Sequence, residues 1–459
     1  MTTPSFEPSQ RLSALTVRAS ILTFALANAL PSAAETASPP PWAPDGSFVF
    51  WPRIAMLTAP PSGPSLYFGV SVDMSGDYLV VGTESPGDDD SWLSGRVHVY
   101  RRVGGEWQLD ATLTSPQGSQ QGGLFGYAVS IASTPDGDVL VIGEPGRDMW
   151  AAARGNLYTD AGIVWMYERV GGAWVNVGSA QYSTPGAQFG FSVDTDGTMM
   201  IAGGPGAENN LGATAVWRRE APQTWSVDHT SGAGVPGAMY GYSVAIAGDR
   251  ALVGAPGTHV GGATNAGAAY VVNLFFDDGP SSIPLHDPTP VQSESFGFAV
   301  AASSGRYAVG SFRDDEPGGE PDSGAVHIFQ IEGDIGILDT TLRSPSPQEG
   351  AQFGSALAFS DDRLVIGERY REVITFGGTL PFAGAMHLFL SIPAAQIWLY
   401  ETSLYNFGES EQMGWSVGAT GHFAAAGLPT RENDQAEDIG SVAIYQADVI
   451  FADGFRPLE

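Results

Sequence analysis

Residues 240–256, YGYSVAIAGDRALVGAP, place an aromatic-glycine pair 13 residues ahead of a glycine that closes an aliphatic run. A pair of this kind, an aromatic residue or Met followed by Gly and then by a short alternating stretch, recurs in seven repeats: Phe68-Gly69, Phe125-Gly126, Phe189-Gly190, Tyr240-Gly241, Phe296-Gly297, Phe353-Gly354 and Met413-Gly414. The closing glycine follows at Gly82, Gly143, Gly203, Gly254, Gly310, Gly367 and Gly427, 13 residues later in six copies and 17 in the second. This offset predicts a hairpin, because slipping one strand by a residue would turn every side chain to the wrong face.

Two further strands follow in each repeat. The third strand opens on a glycine, as in Gly95-Arg-Val-His-Val-Tyr100, and starts 9 to 19 residues after the closing glycine. The fourth begins near Trp107, Trp174, Trp225 or Trp398 in four of the repeats. Four antiparallel strands repeated seven times, with a period of 51 to 64 residues, predict an all-β fold, a seven-bladed β-propeller of four-stranded antiparallel blades. Leucine-rich and β-helix repeats are shorter, and WD-type blades have a period of about 40–45 residues.

The two ends of the repeat array complement each other. The last repeat has no fourth strand after Tyr445, whereas a strand-like segment, Trp51–Thr58, precedes the first repeat. Trp51 and Leu57 are six residues apart, as are Trp107 and Leu113. We therefore predict that this N-terminal strand completes the last blade and closes the ring, so that no long strand edge stays exposed.

The N-terminus has the pattern of an export signal. Arg11 and Arg18 precede the apolar run Ala19–Leu30, and the small residues after it suit cleavage after Ala34. We predict a signal peptide at 1–34, a Pro/Ala-rich linker at 35–50, the propeller at 51–447 and a C-terminal tail at 448–459. The mature protein is then secreted, extracellular or attached to the cell surface. No later stretch reaches the ~18 apolar residues that a membrane span needs. The tail is either a sorting signal or a strand fragment docked on the ring.

The chain is acidic, with 50 Asp and Glu against 20 basic residues, all of them Arg, and a formal net charge of −30. This charge disfavours nucleic acid and anionic membranes as partners. The chain has no Cys, which excludes disulfides and thiolate metal sites. We predict no metal centre, since acidic loops between strands two and three are expected to be solvated. The weaker candidates for collecting a divalent cation there are Asp88, Asp89, Asp90, Asp314 and Asp315.

The sequence contains no recognisable catalytic motif. A nucleophile elbow, a phosphate-binding loop and a zinc-protease helix are all absent from it. His98, His327 and His387 occupy one equivalent position of the third strand, which indicates packing. The other four histidines are scattered, with no spacing that suits a metal. We therefore assign no catalytic residues and expect no enzyme activity.

The anchors together resemble FG-GAP repeats, which occur in the N-terminal region of integrin α-subunits and in many exported bacterial proteins. The best match is the fourth repeat, Tyr240 to Tyr270, and the resemblance covers nearly all of the chain after the linker. It implies a propeller that binds proteins, glycans or surfaces. Integrin-like blades often hold calcium in a loop between the first two strands. The present loops depart from that pattern, since those carrying Asp73 and Asp194 are short and the longer one supplies only Asp136 and Asp138. We expect no cofactor, with calcium as the ion left open.

The loops that join strands two to three and four to one emerge on the same face of a blade and vary most in length. They carry three aromatic residues that we expect to be exposed, Trp92, Trp150 and Tyr158, which are the ligand-binding candidates. We predict a monomeric recognition or adhesion module that binds an extracellular protein or glycan through this face. The alternative is a secreted carbohydrate-active enzyme, a lyase or hydrolase on a propeller scaffold. A structural surface-layer component is a third possibility.

Overall fold

A computed structural model describes residues 48–60, 66–85, 94–151, 156–232, 235–274, 282–315, 319–432, 439–451 and 454–455. All of these belong to one compact unit, Pro41–Glu459. The other unit, Met1–Pro40, lies outside the described residues, and so does most of the predicted linker.

Seven four-stranded antiparallel sheets form the blades. Their first strands are β3 (Leu66–Ser75), β7 (Val129–Thr134), β13 (Ser192–Thr195), β17 (Ser243–Ala247), β21 (Ala299–Ser303), β25 (Phe353–Ser360) and β31 (Val417–Thr420). Their second strands are β4 (Tyr78–Ser85), β8 (Gly137–Glu144), β14 (Met199–Gly204), β18 (Arg250–Ala255), β22 (Arg306–Ser311), β26 (Arg363–Glu368) and β32 (Phe423–Leu428). Each first strand pairs with the second strand of its blade, as the constant glycine offset predicted.

The outer half of each blade contains the third and fourth strands. The third strands are β5 (Arg96–Val103), β11 (Ile163–Val170), β15 (Ala213–Ala221), β19 (Ala268–Asn273), β23 (Ala325–Glu332), β29 (Ala385–Ile392) and β33 (Ser441–Gln446). The fourth strands are β6 (Glu106–Leu113), β12 (Ala173–Gln181), β16 (Thr224–Ser231), β20 (Ser282–Leu285), β24 (Ile335–Arg343), β30 (Ile397–Tyr405) and β2 (Arg53–Leu57). Within the described ranges the helical segments are two single turns, α1 (Ala207–Asn210) and a 3₁₀ turn at Pro393–Ala395.

The first strands of neighbouring blades contact one another all the way round, including β3 of blade 1 against β31 of blade 7. The seven-bladed propeller is therefore confirmed. The N-terminal strand β2 pairs antiparallel with β33, from Arg53 opposite Tyr445 to Leu57 opposite Val442, and so completes blade 7. Trp51 is buried in the core of that blade. The predicted ring closure is confirmed.

Three residues of the expected linker also form structure. β1 (Phe48–Phe50) pairs with β34 (Asp448–Phe451), which pairs in turn with β35 (Gly454–Phe455). The tail was expected to be either a sorting signal or a strand fragment, and the structure contains a strand there. This strand pairs with β1, which directly precedes the closing strand β2 in the sequence.

The hydrophobic core lies between the faces of adjacent blades. In one cluster, Val80 and Val99 of blade 1 pack against Leu140 and Ile142 of blade 2. The closing glycines are required by close approach of two backbones. A Cβ on Gly143 would lie 1.9 Å from the carbonyl oxygen of Gly190 in the next blade. The repeated glycines are therefore the points where successive blades meet.

No helix within the described ranges has the length and apolar character that a membrane span needs.

Candidate functional site

The site is built at the end of the propeller where each second strand leads to the third and each fourth strand leads to the next blade. We call this end the variable face; its loops between strands two and three span residues 86–95, 145–162, 205–212, 256–267, 312–324, 369–384 and 429–440. The two kinds of loop are tied together there. For example, the N–H of Phe189 donates to the carbonyl of Ala161 at 3.0 Å, which joins blade 3 to the loop of blade 2.

Aromatic side chains from successive blades converge at the centre of this face. They are the residues that directly follow the aromatic-glycine pairs, together with one residue after a second strand: Tyr127, Phe191, Tyr242, Phe298, Trp415 and Phe312. We call them the axial aromatic cluster. The ring centroids are 4.9 Å apart for Tyr127 and Phe191, 4.8 Å for Phe191 and Tyr242, and 5.1 Å for Tyr242 and Phe298. Side chains of four consecutive blades approach this closely only near the propeller axis, where the first strands lie.

Two arginines lie against the rings of the axial aromatic cluster. The guanidinium carbon of Arg369 lies 4.9 Å from the ring centroid of Trp415 and 5.3 Å from that of Phe298, so it bridges blades 5, 6 and 7. Its Nε donates to Oε1 of Gln352 at 2.7 Å, and burial lowers its pKa from the ordinary value. The exposed Arg313 lies 5.2 Å from the ring of Phe312. Two guanidinium groups among aromatic faces can bind a carboxylate, because a guanidinium donates two parallel hydrogen bonds to it.

Burial also shifts the pKa of a carboxyl group and of two phenol groups at this end of the propeller. Burial raises the pKa of Glu84, which follows the second strand of blade 1. Burial also raises the pKa of the Tyr127 and Tyr242 hydroxyls, so both remain hydrogen-bond donors over the ordinary pH range. The centre of the face thus combines apolar area, neutral donors and positive charge, in a chain whose net charge is −30.

Two short hairpins extend the loops of blades 2 and 6 on the same face. β9 (Met149–Ala151) pairs with β10 (Asn156–Tyr158), and β27 (Val373–Thr375) pairs with β28 (Gly378–Leu380). Their apolar side chains are unusually exposed, at 65% for Trp150 and 90% for Phe376. Each hairpin thus presents exposed apolar side chains of the kind that mark interaction surfaces.

The base of each hairpin is fixed by a buried ion pair. In blade 2, Nη1 of Arg147 lies 3.3 Å from Oε1 of Glu144 and donates to the carbonyl of Gly118 at 2.7 Å. In blade 6, Nη1 of Arg371 lies 3.0 Å from Oε2 of Glu368. Each arginine therefore ties the hairpin loop to the loop that enters the same blade from the preceding one.

The structure brings together only some of the residues that the sequence singled out. Trp150 is exposed on its hairpin, but Tyr158 is buried, so the expectation that it is exposed was wrong. Tyr158 pairs with Met149 at the end of the hairpin that is nearer to the blade, whereas Trp150 is one position further out. Trp92, Asp88, Asp89 and Asp90 lie outside the described residues.

The acidic candidates of blade 5 differ from each other. Asp315 is exposed and accepts a hydrogen bond from the N–H of Asp322 at 2.6 Å, as a turn residue does. Asp314 is only 3% exposed, so the expectation of a solvated loop carboxylate was wrong for it. It is buried because its neighbours in the fold are Arg343 and His327, which no spacing along the chain reveals. Among the described residues, Asp287, Asp314 and His327 form a group that could hold a metal ion.

The two aspartates considered for integrin-like calcium loops have other partners. Asp73 accepts hydrogen bonds from the N–H groups of Met74 and Ile131, both at 2.8 Å. Asp194 accepts one from the N–H of Ile246 at 2.6 Å. Each carboxylate joins the first strands of two neighbouring blades, because it accepts a hydrogen bond from a backbone N–H of the adjacent blade.

The axial aromatic cluster was missed by the sequence analysis. A signal for it exists, since the residue after the paired glycine is aromatic in five of seven repeats and is Val70 or Ser355 in the others. The pattern becomes meaningful only when these positions are known to face the propeller axis.

The chain is similar to one family model and to solved structures of low sequence identity. The FG-GAP repeat family model matches residues 51–100 and 230–272. The solved "Structure of U3-55K" is 9% identical, with a TM-score of 0.51, and the match covers 85% of this chain and 98% of that one. The "Crystal structure of the Saccharomyces cerevisiae Sqt1" is 11% identical, with a TM-score of 0.46, covering 87% of this chain and 88% of that one. No curated protein sequence matches the chain.

Proposed function

Because the chain is a β-propeller built from FG-GAP repeats, we propose that it is an exported recognition module that binds another extracellular protein through its variable face. The fold by itself hosts many activities, so the argument depends on the face. One observation carries it: exposed apolar hairpins and an axial aromatic cluster with two arginines occur at the same end of the propeller.

The hairpins favour a protein as the ligand. Trp150 and Leu157 on one hairpin, and Ile374 and Phe376 on the other, each expose half or more of their surface. Burying such side chains contributes roughly 25 cal/mol per Å² of apolar area, and aromatic residues are enriched in the energetic centres of protein interfaces. The buried arginines below the hairpins hold them in place, which reduces the entropy lost on binding.

The axial aromatic cluster adds a preference for negative charge. Arg313 and Arg369 present guanidinium groups where the seven blades meet, and their aromatic neighbours exclude water from one side of each. A carboxylate of the partner, from an acidic side chain or a chain terminus, fits these donors. An acidic protein surface is therefore a better ligand than a basic one.

Export is part of the proposal and rests on the signal-like N-terminus. Arg11, Arg18 and the apolar run Ala19–Leu30 precede small residues that suit cleavage after Ala34. N-terminal sequencing of protein collected outside the cell tests it, with Glu35 expected as the first residue.

Selection from a phage-displayed random peptide library tests the binding function. We expect enriched peptides to contain acidic and aromatic residues. A double variant, Trp150→Ser with Phe376→Ser, should bind the enriched peptides at least about 10-fold more weakly than the wild-type protein does. Each of the two side chains is expected to contribute more than about 1 kcal/mol. The control is Ile335→Ser, which changes an equally exposed apolar residue, at 64%, at the start of β24, directly after the turn on the opposite face.

Three outcomes would contradict the proposal. One is a control variant that loses as much affinity as the double variant. Another is ligand capture on a glycan array with no peptide enriched, which would assign the face to sugars. The third is turnover of polysaccharide substrates by the purified protein, which would favour the carbohydrate-active enzyme.

A further inference from the structure

Equivalent positions in three blades hold buried polar clusters with different charges. Each cluster combines a residue from the turn after the preceding blade, the last residue of the second strand, the residue three positions further on, and one side chain of the third strand. In blade 2 these are Ser115, Glu144, Arg147 and Trp165; in blade 6, Ser344, Glu368, Arg371 and His387; in blade 5, Asp287, Ser311, Asp314 and His327.

In blades 2 and 6 the cluster is closed by complementary charge. The carboxylate of Glu368 lies 3.0 Å from Nη1 of Arg371 and 2.8 Å from Nε2 of His387. Glu144 accepts hydrogen bonds from Trp165 at 2.7 Å and from Ser115 at 2.8 Å. A buried carboxylate needs such partners, because an isolated ion loses its hydration.

Blade 5 has the opposite arrangement. Carboxylates occupy the positions of the serine and of the arginine, and the glutamate is replaced by Ser311. Nε2 of His327 lies 3.0 Å from Oδ2 of Asp287 and 3.4 Å from Oδ2 of Asp314, and the three side chains are 2%, 1% and 5% exposed. Arg343 pairs with Oδ1 of Asp314, which leaves Oδ2 facing the histidine.

The atoms at the centre of this cluster lack hydrogen-bond partners. Nε2 of His327 and Oδ2 of Asp287 are both fully buried, and their approach does not have the geometry of a hydrogen bond. Nδ1 of His327 is 3.1 Å from the hydroxyl of Thr341, which can fix the ring so that Nε2 faces the carboxylates. A nitrogen and two carboxylate oxygens thus converge, within 4.8 Å of one another.

We propose that Asp287, Asp314 and His327 bind one zinc ion, which holds the turn entering blade 5 against its second and third strands. Two ligands at bond lengths of about 2.0–2.2 Å are separated by about 3.0–3.5 Å around a common zinc, and the observed separations from Nε2 agree with this. The imidazole nitrogen favours a transition metal, whereas calcium takes six to eight oxygen ligands. The divalent ion supplies the positive charge that Arg147 and Arg371 supply in blades 2 and 6.

Glu294 is available as a further acidic neighbour. It is 4% exposed, and one of its oxygens, Oε2, accepts a hydrogen bond from the N–H of Val291 at 2.7 Å. Its carboxyl interacts electrostatically with Asp287, Asp314 and His327 but is not one of the three converging ligands. The role inferred here is structural, and it does not depend on the ligand of the variable face.

The experiment uses the whole protein after treatment with EDTA and dialysis. Zinc is then titrated by calorimetry, and the bound metal is measured by elemental analysis. We expect one zinc per chain and a zinc-dependent rise in melting temperature, because an ion that binds only the native state stabilises it. Asp287→Ser should weaken zinc binding at least about 100-fold, since loss of a direct ligand exceeds the 10–100-fold effect typical of residues that support ligands.

Two variants keep the test informative. Serine occupies the position of Asp287 in blades 2 and 6, so Asp287→Ser is expected to fold, which circular dichroism checks. His387→Gln perturbs the equivalent buried histidine of blade 6 and should leave one zinc bound per chain. Failure of the wild-type protein to bind zinc, or unchanged binding by Asp287→Ser, would overturn the proposal and assign the charge balance of blade 5 to a proton on His327.

Discussion

At the scale of single residues, stability depends on buried charges that lie beside groups of opposite charge. Glu368 is completely buried between Arg371 and His387. Burial alone would raise the pKa of its carboxyl, but the charges of His387 and Arg371 hold that pKa below the ordinary 4.5. A carboxyl with a lowered folded-state pKa contributes stability above its unfolded pKa, and this contribution is lost as pH falls through the folded value.

Glu368→Gln should therefore lower the free energy of unfolding by about 3–5 kcal/mol at neutral pH, because Arg371 is left without its counter-charge. The difference from the wild-type protein should shrink as pH is lowered below about 4.5, where the unfolded wild-type carboxyl becomes protonated. Urea unfolding at several pH values measures both effects. As a control, Asp362→Asn removes the exposed partner of Arg306 and should change stability by less than about 1 kcal/mol. An equal loss in both variants, or a pH-independent difference, would contradict this account.

At the scale of elements, each hairpin of the variable face depends on one arginine below it. Arg147 connects the hairpin loop of blade 2 to Gln117 and Gly118 in the loop that enters the blade. Glu144 keeps hydrogen bonds from Ser115 and Trp165 when Arg147 is removed. Loss of the arginine should therefore open the loop without unfolding the blade.

Arg147→Met is predicted to speed amide hydrogen exchange in residues 145–162 at least about 10-fold, since charged hydrogen bonds contribute roughly 1.5–3 kcal/mol to local stability. Mass spectrometry of deuterated peptides measures this change. The loop of blade 6, residues 369–384, keeps its own arginine and serves as an internal control in the same sample. Exchange that rises equally in both loops would show global destabilisation and contradict a local role for Arg147.

At the scale of the whole molecule, the ring is closed by a strand from the opposite end of the chain. β2 pairs with β33, and Trp51 packs in the core of blade 7. Without this strand, blade 7 would have three strands and an open edge, which invites pairing with another chain.

A chain that begins at Ala59 should therefore unfold at a temperature more than about 5 °C lower than one that begins at Pro41, even if the loss is only a few kcal/mol. Calorimetry and size-exclusion chromatography compare the two, and we expect the shorter chain to form dimers or larger species through its open edge. The Pro41 chain retains β1 and β2 and is the matched control. Equal melting temperatures with two monomers would show that strand closure does not stabilise the ring.

The blade architecture could be predicted because it repeats along the chain. The hydrogen-bond ladder requires a nearly constant distance between the two anchor glycines, and that distance is visible without any knowledge of contacts. The closing strand could be predicted in the same way, since the spacing from Trp51 to Leu57 matches that of other fourth strands. It also placed Trp150 in a long loop of the second blade.

The number of blades, the order of their strands and the closure of the ring could thus be predicted from the sequence, because they follow from local periodicity. Which side chains meet became visible only in the folded protein. Asp287, Asp314 and His327 come from three separate segments with no spacing that identifies them, and the repeated aromatic positions form the axial aromatic cluster only when five blades converge on the axis. The physical reason is that rotation of the blades about the axis brings equivalent positions together, and the burial that results changes the chemistry of each side chain.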